Sequence, residues 1–135
     1  MNIEYILTGQ RFATLFLVGL IWFVQIVHYP LFNAIKDSPS YYLKHQYRTT
    51  CVVIPVMFLE MGCALALFFF RHFYFIDQIG LYLLMVVWLS TLFLQVPCHL
   101  QLRNTYSPLI VNRLVNTNWI RTIAWSARGA IVLFF

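Results

Sequence analysis

The chain has 135 residues, of which 61% are hydrophobic and 10% charged, and a formal net charge of +5 at pH 7. A globule of this length has too little interior to hide that much apolar surface, which excludes an ordinary soluble domain and points to the bilayer. The nine Lys and Arg residues stand singly among apolar stretches, so they form no nucleic-acid-binding stripe and instead suit anionic lipid headgroups.

The first apolar stretch runs from Phe12 to Val27 and is helix-compatible from about Gly9 to Tyr29. Arg11 precedes it, as a basic residue precedes a secretory signal. The stretch ends, however, in Gln-Ile-Val-His-Tyr-Pro and not in a small-x-small cleavage site, so it reads as a retained anchor. The second stretch, Cys51 to Phe70, is opened by His45 and Arg48, and the third, Ile79 to Pro97, is closed by Gln95 and His99. Each is close to the ~20 residues that carry a helix across ~30 Å of hydrocarbon. The fourth, Ile120 to Phe135, is opened by Asn118 and Arg121 and can extend back to about Ile110. The expected fold is therefore an all-α integral membrane protein with one domain, 1–135. Four transmembrane helices, about 9–29, 45–71, 76–100 and 111–135, form an up-down bundle.

Lys36, Lys44 and Arg48 lie in the 31–50 connection, and Arg103, Arg113 and Arg121 in the 100–121 connection. Only Arg11 and Arg71 flank the other ends. The excess of Lys and Arg in cytoplasmic loops places both long connections in the cytoplasm and both termini on the other side. His72, beside Arg71, reads as an interfacial anchor. The three cysteines include no C-x-x-C pair, so neither a disulfide framework nor a thiol-redox motif is expected. Cys63 reads as a small core residue, while Cys51 and Cys98 sit at the polar end.

Two hairpins of similar pattern follow one another. Gln25 precedes His28-Tyr29-Pro30 and leads to His45-x-x-Arg48-Thr49. Gln95 precedes Pro97-Cys98-His99 and leads to Asn118-x-x-Arg121-Thr122. An internal repeat about an axis along the membrane normal accounts for the pattern, although chance similarity also does in so short a chain.

The polar residues converge at one level. Gln25, His28, His45, Arg48, Gln95, His99, Asn118 and Arg121 all fall within about two turns of the cytoplasmic helix ends, and polar groups at that depth normally face the bundle interior. Helical spacing agrees: Trp22, Gln25 and His28 on helix 1; Trp88, Thr91, Gln95 and Cys98 on helix 3; Asn118, Arg121, Trp125 and Arg128 on helix 4. On helix 2, His45, Arg48, Pro55 and Glu60 share a broad face. Pro55 and Pro97, inside helices 2 and 3, each free a carbonyl and help to open a cavity. The bland alternative is that the histidines are interfacial rings, like Tyr29, Tyr41, Tyr42 and Tyr47, and that Arg48 and Arg121 snorkel. Glu60 lies about 18 Å deeper than Arg48, and Arg128 about 10 Å deeper than Arg121, at ~1.5 Å per residue. Burying both charges calls for a Glu60–Arg128 pair joining helices 2 and 4, either as a structural clamp or as part of the site.

Two histidines facing across a bundle can ligate haem b, with arginines on its propionates. The same His, Arg and Gln residues, with Trp22, Trp88 and Trp125 as walls, suit a quinone or another flat lipophilic ring. His28, His45 and His99 are also candidate ligands for a transition metal. A di-iron carboxylate site is not expected, since no Glu-x-x-His pair is present. The chain has no H-E-x-x-H, no G-x-S-x-G and no Gly-rich phosphate loop, so hydrolase and nucleotide chemistry lack support. The leading expectation is a cofactor- or substrate-binding membrane protein, in the oxidoreductase class if it catalyses a reaction. A non-catalytic accessory subunit of a membrane complex and a small transporter are the alternatives. Membrane lipids are the one certain partner, beside a lipophilic small molecule and further subunits.

Overall fold

A computed structural model of the chain describes residues 3–34, 39–71 and 74–135, and every element among them is helical. Helix α1 (Ile3–Phe23) continues through a π turn (Val24–His28) into a 3-10 turn (Pro30–Ala34). Helix α2 (Pro39–Phe70) returns. Helix α3 (Phe75–Ser90) passes through a second π turn (Thr91–Gln95) into α4 (Val96–Asn104), and α5 (Pro108–Phe134) closes the bundle. Three rods, Ile3–Ala34, Ser40–Phe70 and Phe75–Asn104, are long and apolar enough to cross a membrane. The fourth, α5, carries Arg113, Arg121 and Arg128 and packs along both α1 and α3.

The helices overrun the apolar stretches at most ends. α2 starts at Pro39, not near 45, and α5 at Pro108, not near 111. Hydrocarbon sets where the apolar residues sit, but backbone hydrogen bonding continues into the interface until a breaker intervenes. The breakers are visible: Thr105 and Ser107 are extended, and a proline at the first turn then restarts the helix. His72 lies outside the described residues.

Both π turns have one covalent signature. The first ends at His28 and the second at Gln95, and a proline follows two residues later, Pro30 and Pro97. A proline ring collides with the carbonyl four residues before it and removes a donor. Those carbonyls belong to Ile26 and Phe93, each at the centre of its π turn. The wider turn moves the carbonyl aside and adds a residue, which rotates everything beyond it around the helix axis.

Large apolar side chains such as Phe12, Phe16, Phe58, Phe69, Phe93 and Ile123 are exposed on the outer faces of the rods, as helices facing hydrocarbon require. Inside, Leu17, Ile21, Met57, Val87, Leu114 and Trp125 form the core. α1 and α5 approach closely at Gly129, where a Cβ would stand 3.0 Å from Val18 Cγ2.

Candidate functional site

At the end of the bundle away from the chain termini, the two π turns, the start of α2 and the middle of α5 surround a partly open cavity of about 120 Å³. Its polar wall is His28, Tyr29, His45, Thr49, Thr91, Gln95, His99 and Arg121, and its deeper wall is Leu17, Ile21, Val24, Met57 and Trp125. One side thus offers hydrogen bonds and the other an apolar face, as small-molecule pockets do.

His28 and His45 face each other with their Nε2 atoms 2.7 Å apart. At that distance one nitrogen donates and the other accepts. The Thr49 hydroxyl lies 3.1 Å from His45 Nε2. Phe32, fully buried in the 3-10 turn, sets its ring edge-on to both imidazoles and to His99, and Tyr41 stacks on His45. The pair is therefore held by aromatic packing at the cavity wall.

Arg121 is the centre of a second network. It is 7% exposed. Nε donates to Asn118 Oδ1 at 2.9 Å, Nη2 to the same oxygen and to the Tyr29 hydroxyl, and Nη1 to Thr91 Oγ1. The Tyr29 hydroxyl oxygen also lies 3.2 Å from His99 Nε2, so one hydroxyl joins Arg121 to the imidazole. Asn118 is oriented from behind, because its amide donates to Gln25 Oε1 at 2.8 Å. Gln25 in turn donates to the Val115 carbonyl. Every one of these partners is neutral. Among the described residues the ion pairs are Arg71–Asp77 and Glu60–Arg128, so Arg121 is a buried cation without a carboxylate.

Gln95 donates through Nε2 to Thr117 Oγ1 at 3.1 Å, and Thr117 passes its own proton to the Arg113 carbonyl. The other end of the amide, Oε1, is buried and has no hydrogen-bond partner, and Gln95 is one of the residues that line the cavity.

One layer deeper, Glu60 and Arg128 are 0% and 1% exposed, and Arg128 Nε donates to Glu60 Oε1 at 2.9 Å. Thr14 donates to the same oxygen, and Trp125 Nε1 to Oε2 at 3.0 Å. Arg128 Nη1 also donates to the Gly80 carbonyl. A glycine eases that approach, since a Cβ there would stand 3.3 Å from Arg128 Nη1, closer than side chains usually pack.

Of the eight residues expected at one level, His28, His45, Gln95, His99 and Arg121 line the cavity. Gln25 and Asn118 lie behind the wall and position Arg121. Arg48 is exposed and does not reach the cavity. Pro55 is exposed too: the inward stripe of α2 is Met57, Glu60, Ala64 and Leu67, which continues back through Val53 and Thr49, not through Arg48. Of the three tryptophans expected as walls, Trp125 alone borders the cavity. Trp22 bonds to Ser126 on the outer surface, and Trp88 packs edge-on against Phe58. The spacing argument passed over Tyr29 as an interfacial ring and gave Thr49 no role. Tyr29 was findable, since it occupies the residue between a π turn and its proline.

Cys98 is buried, Cys51 is exposed, and Cys63 lies against Gly9. Among the described residues no group of three or more His, Cys, Asp or Glu side chains is disposed to hold a metal ion. No family model, curated relative or solved structure matches the chain.

Proposed function

We propose that this chain is a small multi-pass membrane protein that binds a flat lipophilic molecule, of quinone type, in the cavity between its helices. In this reading α5 also crosses the bilayer, giving four spans, and the cavity opens toward the cytoplasm. The observation that carries it is the character of the cavity. A buried cation and three imidazoles share the cavity with Leu17, Met57 and the Trp125 ring, and the Arg121 guanidinium lies 5.9 Å from the centroid of that ring. A ring carrying carbonyl oxygens satisfies both faces: oxygens toward Arg121 and His99, plane against Trp125. An engineered cavity of ~150 Å³ accepts benzene, so at about 120 Å³ this cavity takes a single ring by using its open side, through which the tail leaves. Such a ligand makes an oxidoreductase role natural, with the imidazoles as proton carriers.

The test is titration of the purified protein with a short-tailed benzoquinone, read as quenching of tryptophan fluorescence. Saturable quenching that is lost in Trp125→Phe and weakened in Arg121→Gln supports the reading. Equal quenching in all three proteins shows mere partition into detergent. The polar residues would then serve to hold the bundle together, which is the accessory-subunit reading.

One observation favours a second reading, haem b or a single transition metal. The Nε2 atoms of His28 and His45 point at each other, and ~2.0–2.1 Å metal–nitrogen bonds would need them only about 1.4 Å further apart. A single metal ion needs only that small rotation. A haem macrocycle needs the helices to separate, because drug-sized pockets begin at ~300 Å³. The visible spectrum and metal content of the isolated protein decide this: a Soret band that shifts on reduction, or stoichiometric metal, replaces the quinone reading.

A further inference from the structure

The binding reading leaves open what kind of head group the lipophilic ring carries, and two features of the wall bear on that. The first is charge. Arg121 is 7% exposed and its partners are the amide of Asn118 and the hydroxyls of Tyr29 and Thr91. The deeper arginine, Arg128, is neutralised by Glu60, so among the described residues the interior holds one positive charge in excess. A cation in a low-dielectric interior is costly unless an anion accompanies it. The excess charge stands on the wall of a cavity, where a ligand can supply that anion. The second feature is Gln95. Gln95 lines the same cavity, and its buried Oε1 accepts no hydrogen bond, so a donor on a ligand meets it when the side chain turns inward. The Thr117 contact engages Nε2 and leaves Oε1 as the unmatched end of the amide.

We infer that the ligand is an aromatic acid: a single ring carrying one ionised oxygen group, held by Arg121, and one hydroxyl, donated to Gln95 Oε1. The inference rests on the cavity and flat ring of the binding reading above, and gives that ring an acid in place of the quinone's carbonyls. A quinone has acceptors only. It satisfies Arg121 without neutralising it and leaves Gln95 unmatched. A hydroxylated ring with a carboxylate or phenolate satisfies both, and its plane lies against Trp125. Charge-assisted hydrogen bonds contribute roughly twice as much as neutral ones, so the ionised group is the stronger determinant.

Three probes of one ring size separate the contributions: 4-hydroxybenzoate, benzoate, and methyl 4-hydroxybenzoate. Binding is measured by calorimetry on the intact protein in lipid nanodiscs. The acid is expected to bind about tenfold more tightly than its ester, the equivalent of one charge-assisted hydrogen bond, and the hydroxyl to add a smaller gain over benzoate. Arg121→Gln should abolish the preference for acid over ester, while Arg121→Lys should keep it. Gln95→Leu should abolish the preference for 4-hydroxybenzoate over benzoate. An ester that binds as tightly as the acid, or an acid preference that survives Arg121→Gln, overturns the inference. If the short-tailed quinone binds while the acid gains nothing over its ester, the binding reading stands and this one falls. If neither quinone nor acid binds, both fall.

Discussion

Glu60 accepts the indole N–H of Trp125 at 3.0 Å while its other oxygen holds Arg128. The carboxylate that neutralises the deep arginine therefore also fixes the ring that floors the cavity. Stability and site geometry share one residue, and changes at Glu60 should register in both.

Replacing Glu60 or Arg128 singly by leucine strands a buried charge, which typically costs ~3–5 kcal/mol. The double replacement removes both charges and should recover much of that loss, measured by denaturant titration in detergent. Recovery should be incomplete, because Thr14 and Trp125 lose their acceptor whenever Glu60 is replaced. Losses that simply add would show that the two charges are not coupled.

Gln25 tests the wall from behind. Gln25→Leu removes the acceptor of the Asn118 amide and leaves a buried donor unsatisfied, at ~1–3 kcal/mol. Asn118 is then free to turn, and with it Arg121. Ligand affinity should fall along with stability, although Gln25 does not touch the cavity. Asn118→Leu should behave alike. A variant that loses stability but keeps full affinity would disconnect the pair from Arg121's placement.

The inward face of α5 was readable from sequence. Asn118, Arg121, Trp125 and Arg128, spaced three, four and three apart, are all buried. In a chain so apolar the few polar residues mark the interior, because lipid rejects them. The same logic failed on α2, where Arg48 and Pro55 are exposed. Arg48 lies just before the apolar stretch of α2, where a long side chain reaches water without facing inward, so its polarity carried no information about the face. On α1 the stripe holds for Gln25 and His28, while Trp22, ahead of the π turn, is exposed. The proline two residues beyond each π turn carries a signal that helical spacing leaves unused. Pro97 frees a carbonyl but also shifts the register, and Pro30 does the same. Tyr29 was hidden by chemistry: a tyrosine next to an interface has an ordinary explanation, and only the fold reveals it between Arg121 and His99.

The His28–His45 contact predicts coupling of a definite size. A neutral hydrogen bond contributes ~0.5–1.5 kcal/mol net, so His28→Phe and His45→Phe should be non-additive by about 1 kcal/mol in a double-mutant cycle. If the pair instead seats a metal, each single change should abolish metal retention outright. Strict additivity with no metal in the wild type would leave the 2.7 Å approach without energetic consequence.

The proposed sidedness of the cavity rests on charge. Lys44, Arg48, Arg103 and Arg113 all lie toward the bundle end that carries the histidines, against Arg11 and Arg71 at the other. Lys and Arg resist translocation, so the end richer in them stays in the cytoplasm. Single cysteines in a cysteine-free background, placed at residue 40 and residue 105, should be labelled by a membrane-impermeant thiol reagent only after the cytoplasmic face is opened. Cysteines at residue 5 and residue 135 should be labelled in intact cells. With an even number of spans both termini share a side, so opposite results at residues 5 and 135 would show that α5 does not cross. Labelling of both termini from the cytoplasm would keep four spans and the cavity but turn its mouth to the far side.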